Sequence, residues 1–322
     1  MSAVSVTDLS VADRNVGLYE LLWRLPTGLV LDFLERASEW ELRNALAERL
    51  AATTEMVREP MAATPSLRGD PDRVARECAE YLLSSNATLG ALMSQLEHGA
   101  DAPLTVRWSG VEHLREAREG GRPVLVFAPH VGFLYAVPIA LAALGERSSV
   151  LGGETARDVL IRVFSTVAPR LMDQVGYIVV PGEGCARAAL DTLARGELLV
   201  MFPEVNRGAT GNVRSATTTF LGRTIWLPTT AARLARMAGA VILPATVLPD
   251  GPRGVVVEFA APVAAPADRH GDLPTSVWLF RWLEGVVEDR PHLWLGWTML
   301  DTDMRVTPPV SASGAASGAA RT

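Results

Sequence analysis

Between about residues 16 and 100, apolar side chains return at three- and four-residue intervals with charged residues between them, the period of amphipathic helices. The runs GLYELLWRL and GLVLDFLERASEWELRNALAERLAA carry Leu, Val, Phe and Trp on that period, and Pro26 divides them into two helices. A further helix is expected over DPDRVARECAEYLLSSNATLGALMSQLE. Asp70 stands where a side chain can cap free N–H groups, Pro71 takes the first turn, and His98-Gly99 closes the segment.

From about residue 104 the pattern changes to alternating strands and helices. LTVRWSG reads as a short strand and VEHLREAREGG as a helix ended by Gly120-Gly121. PVLVFAP is a continuous apolar run of strand length, the pattern of a parallel strand buried on both faces. HVGFLYAVPIALAAL follows as an apolar helix, expected to begin near Gly132, with Pro138 a candidate kink. SSVLGG, GYIVVPG, GELLVMFPE and AVILPATVL are further strands, with helices over CARAALDTLARG and LPTTAARLARMAG between them. This alternation predicts an α/β fold: a mostly parallel central sheet flanked by helices, with a helical N-terminal segment. The expected divisions are 1–103 for that segment, 104–302 for the core and 303–322 for a small, polar, disordered tail.

Composition narrows the function classes. With 48% hydrophobic and 20% charged residues among 322, the chain can fill a core, and bulk disorder is excluded. A net charge of −6 lacks the basic footprint of a nucleic-acid binder, so no such partner is indicated. Two cysteines, Cys78 and Cys185, make no disulfide framework, and the five scattered histidines form no HExxH or HxH pair. Neither a metal nor a bound cofactor is expected. The start MSAVSVTDLSVADRN has no basic region followed by an apolar run, and apolar stretches elsewhere are broken short of the ~20 residues of a membrane span. A cytoplasmic location is expected. GLYELLWRLPTGLVLDFL is apolar enough to lie on the inner membrane, but it carries Glu20, Asp32 and Glu35, which favours packing on the core over peripheral membrane contact.

Candidate chemistry collects at two strand ends. His130 follows PVLVFAP directly, and in parallel sheets sites form beyond the carboxyl ends of strands. GELLVMFPEVNRG runs a second apolar strand into Glu204 and Arg207, a carboxylate and a planar guanidinium suited to a phosphate or carboxylate. A structural histidine and a surface ion pair are the competing readings of the same residues.

GVEHLREAREGGRPVLVFAPHVGFLYAV resembles the entry to the catalytic core of the lipid A biosynthesis (lauroyl/myristoyl) acyltransferases, members of the lysophospholipid acyltransferase superfamily. FPEVNRG is similar to the superfamily's FPEGTRS-type motif, FLGRTIWLPTTAARLARMAGAVILP to the block that follows it, and EDRPHLWLGWTML to a terminal stretch in which Pro precedes a Trp-bearing segment. In the right order, these cover roughly residues 105 to 300. The resemblance implies an acyltransferase in which His130 is general base toward an acceptor hydroxyl or amine. The acyl donor would be acyl-CoA or an acyl carrier protein, and the acceptor a lipid or small molecule. Glu204, Asn206, Arg207 and Gly222 would line the site. Gly132 would leave room for substrate, and the helix starting near it would stabilise an oxyanion.

The chain also departs from that family. The superfamily motif places Asp or Glu five residues after the histidine, and here that residue is Tyr135. A tyrosine orients a ring but supplies no charge to an imidazolium. Either Glu204 or Glu154 takes the role, or the reaction needs less base assistance, as with an amine or hydroxylamine accepting from an aminoacyl-tRNA, or the protein binds lipid or carrier without catalysis. Where glycerophosphate acyltransferases carry an Arg after GYIVV, this chain has Pro181, which speaks against a glycerol phosphate acceptor.

Overall fold

The computed structural model describes residues 36, 47–99, 104–159, 161, 164–204, 216–251, 253–300 and 304. The expected helices before residue 46, the proposed membrane-surface segment, Asn206, Arg207 and residues 305–322 lie outside the described residues. Helix α1 (Ala47–Ala62) and helix α2 (Pro71–His98) pack against each other. The ends of α2 are those its sequence predicts. The Asp70 side chain accepts from the Arg73 N–H at 3.3 Å, Pro71 opens the first turn, and Gly99 closes the helix in the left-handed region.

Strand β1 (Thr105–Ser109) and helix α3 (Val111–Arg118) lead into β2 (Val124–Phe127). Helix α4 (Ala136–Ala143), β3 (Ser148–Gly152), helix α5 (Glu154–Val159) and β4 (Val175–Val179) follow. Next come helix α6 (Cys185–Ala194) and β5 (Leu198–Met201). After the hairpin of β6 (Ala216–Phe220) and β7 (Arg223–Leu227) the chain forms helix α7 (Thr230–Ala238). Strands β8 (Val241–Pro249) and β9 (Gly254–Phe259) and helix α8 (Asp272–Asp289) complete it.

Seven strands form one sheet in the order β1-β9-β8-β2-β5-β3-β4, parallel throughout except for the antiparallel β8–β9 pair. Neither β9 nor the β6–β7 hairpin is among the strands expected from the pattern. The central strands are apolar at every position because successive side chains feed different cores. Val124 and Val126 of β2 and Leu198 and Val200 of β5 face one cluster, which holds α4 and the Leu89–Met93 part of α2. Leu125, Phe127, Leu199 and Met201 face the other, with residues of α6, α7 and α8. Buried residues of α1 and α2 thus share the sheet's own cores. At the far end, Met304 is buried and its carbonyl accepts from the Trp226 N–H at 2.9 Å, so the packed chain extends past residue 302.

One helix starts later than expected. Residues 130–135 form a turn, and α4 begins at Ala136 rather than near Gly132. Residues Ala136–Ala142 are all buried, so α4 is a core helix.

Candidate active site

Strands β2 and β5 are neighbours, and Phe127 pairs with Met201. Three residues beyond each pair member come His130 and Glu204, which the parallel register brings together beyond the carboxyl ends of these two central strands. Oε2 of Glu204 lies 3.0 Å from Nδ1 of His130, and Oε1 accepts the His130 backbone N–H at 2.6 Å. Trp294 donates its indole N–H to the same Oε1 at 3.3 Å. Glu204 is fully buried and His130 only 9% exposed. Two N–H donors converge on Oε1, and Nδ1 lies within hydrogen-bond distance of Oε2, so both oxygens of the buried carboxyl group have partners. With Nδ1 engaged by Glu204, Nε2 is the other ring nitrogen.

The other expected residues separate. Tyr135 is half-buried. Its ring packs edge-on against Phe164 at 6.2 Å and Phe202 at 6.0 Å, and Phe202 in turn lies 5.3 Å from the His130 ring. Tyr135 and His130 thus both pack on the Phe202 ring. Glu154, the other acid considered, is exposed in the first turn of α5 and paired with Arg157 at 3.4 Å.

Gly132 does not make room for substrate. It has φ +64°, and a Cβ there would overlap the Val247 carbonyl oxygen and come within 2.8 Å of Leu248, so β8 fills the space. The expected oxyanion site is absent from this turn as well. The N–H groups of Val131, Gly132 and Phe133 go to the carbonyls of Pro129, Leu293 and Val247, and the positive end of α4 lies further along the chain. Gly222 turns the β6–β7 hairpin with Leu221, and its Cα face meets the Pro65 ring at 3.0 Å from the nearest carbon to an added Cβ. Gly132 and Gly222 are thus structural glycines. Pro181 is exposed just after β4, at the sheet's edge.

The pair is a buried carboxylate–imidazole unit. Among the described residues no three His, Cys, Asp or Glu side chains converge as a metal site would require. Cys78 is no nucleophile: burial pushes its thiol up to about 12.

A family model described as bacterial lipid A biosynthesis acyltransferase matches residues 88–299. The chain belongs to this family. The match opens inside α2 and closes in the turn that carries Trp294, so it encloses every residue of the His130–Glu204–Trp294 cluster. No individual curated protein matches the sequence. As a family member the protein is an acyltransferase of lipid biosynthesis, and an acyl donor and a lipid acceptor follow from that. None of the helices among the described residues is long and apolar enough to cross a membrane.

Trp294 was not singled out from the sequence. Its stretch EDRPHLWLGWTML carried only a family likeness, and nothing in an indole announces a carboxylate partner 90 positions earlier.

Proposed function

We propose that this enzyme transfers an acyl group from a thioester, acyl-CoA or acyl carrier protein, to a hydroxyl or amine of a lipid acceptor, with His130 as general base. Nε2 takes the acceptor proton as the acceptor oxygen or nitrogen attacks the thioester carbonyl. The tetrahedral intermediate then expels the thiolate as the C–S bond breaks, and the imidazolium returns the proton to sulfur. Glu204 holds the tautomer that leaves Nε2 unprotonated and offsets the imidazolium charge, as the carboxylate does in a serine protease triad. Arg207 and Asn206, just beyond Glu204 in the chain, bind the acceptor. The reaction belongs at the cytoplasmic face of the inner membrane, where a lipid acceptor lies.

The observation that carries this reading is the 3.0 Å contact between Nδ1 of His130 and Glu204. It supports a carboxylate–imidazole pair despite Tyr135. It also removes the reason for invoking an acceptor that is already strongly nucleophilic, such as a hydroxylamine, or an aminoacyl-tRNA donor. The test is transfer of a labelled acyl chain from both thioester donors to a lipid A precursor by the wild type and His130→Ala. The variant is expected to lose transfer while melting within a few degrees of the wild type. A His130→Ala protein that still transfers at the wild-type rate overturns the general-base role.

A further inference from the structure

One short stretch near the end of the chain holds both members of the pair. The Gly132 N–H donates to the Leu293 carbonyl at 2.9 Å, and the Leu295 N–H donates to the His130 carbonyl at 2.8 Å. Val131 and Trp294 between them form an antiparallel bridge. The backbone of residues 293–295 therefore pins the backbone of the histidine turn, while the Trp294 side chain reaches past it to Oε1 of Glu204. The indole itself has little freedom. It is fully buried and packs edge-on against Phe220 at 5.4 Å and Trp297 at 5.0 Å. Gly296 lies so close beneath it that a Cβ there would overlap the ring.

We propose that Trp294 is a positioning residue for the acyl-transfer reaction: its indole N–H fixes the Glu204 carboxylate so that Oε2 stays on Nδ1 of His130. The proposal rests on the general-base reading above. A carboxylate with one oxygen shared by a main-chain N–H and an indole cannot rotate its second oxygen off the imidazole without breaking both bonds. The indole also disperses the carboxylate charge, which moderates how strongly Glu204 stabilises the imidazolium. Removing the donor while keeping the ring has two consequences. Orientation of the base is loosened, which lowers kcat. The less dispersed carboxylate also favours the imidazolium more, which moves the rising limb of the pH–kcat profile to higher pH.

The experiment compares wild type, Trp294→Phe and a protein carrying the benzothiophene analogue of tryptophan at position 294, which replaces N–H by sulfur in a ring of nearly the same shape. Steady-state transfer is measured from pH 5 to 9 at saturating thioester. Both altered proteins are expected to lose about tenfold in kcat, the scale of one hydrogen bond to a charged group, with KM within about twofold and the rising limb shifted upward. A role limited to packing predicts that the analogue behaves as wild type whatever Trp294→Phe does to folding, and that result overturns the proposal. If His130→Ala retains activity, the underlying reading fails. If His130→Ala is inactive while the analogue shows wild-type kcat and pH profile, only the role of Trp294 fails.

Discussion

Nδ1 of His130 and Oε2 of Glu204 stand 3.0 Å apart across 74 positions of sequence. The contact exists because Phe127 and Met201 are partners in adjacent parallel strands and each functional residue lies three positions past its strand. Glu204 is thus the carboxylate against the imidazole, while the fifth residue after the histidine is Tyr135.

Glu204→Gln keeps the side-chain shape, removes the charge and presents an N–H₂ group to a cluster made of donors. The expected loss of kcat is on the order of 10³–10⁴, the effect of neutralising the carboxylate in a histidine-based triad. A stability loss of about 1–3 kcal/mol accompanies it, since a buried donor loses its acceptor. Single-turnover transfer and urea unfolding measure the two effects. Activity within tenfold of wild type would contradict the carboxylate role.

Tyr135→Phe is expected to reduce turnover by less than about tenfold, because Glu204 is the carboxylate on Nδ1 and a neutral hydrogen bond is worth roughly 0.5–1.5 kcal/mol. Tyr135→Asp restores the acid of the superfamily motif at its original position. It also removes a ring packed on Phe164 and Phe202. The expected outcome is a lower melting temperature and no gain in rate. A faster Asp variant would show that the original pairing geometry survives beside Glu204.

Gly132→Ala asks a left-handed residue to accept a Cβ where the Val247 carbonyl oxygen already lies. The strain cannot relax through a flexible side chain, because the obstacle is backbone of β8. A loss of at least about 2 kcal/mol is expected in denaturant unfolding. Transfer activity should fall with it, since the same turn carries His130. An unaltered unfolding midpoint would rule out the close approach to β8.

His292 supplies a pH dependence of stability. Burial holds its imidazole below the ordinary 6.5, with nearby Arg290 and Arg73 acting in the same direction against Glu77. A histidine with a depressed folded value binds its proton less readily than the unfolded chain does, so protonation favours unfolding. Its neutral form is fully compatible with the fold above 6.5, and stability is lost as pH falls below that value. His292→Gln should flatten this part of the stability curve in urea unfolding between pH 7 and 5. An unchanged slope would show that another group is responsible. Because His292 adjoins the turn that holds Trp294, the wild type should lose activity reversibly over the same range.

By itself the sequence determined the local elements and the candidate base. Asp70, Pro71 and Gly99 set the ends of α2, since capping is a matter of side chains within a few residues of each other. The fully apolar runs of β2 and β5 announced strands covered on both faces, and His130 and Glu204 were legible as polar residues at strand exits. Strand order was not legible. β3 and β4 intervene in the chain between β2 and β5, and only the packing of helices on both faces decides that β2 and β5 become neighbours. That single adjacency chose Glu204 over Glu154 as the partner of His130. Gly132, expected to admit substrate, and the helix expected beside it depend on where β8 and residues 293–295 come to lie. Trp294 arrives at Glu204 from 90 residues away. Short-range patterns fix periodicity and caps, whereas hydrogen bonds between distant segments exist only after the hydrophobic cores have set the relative positions of those segments.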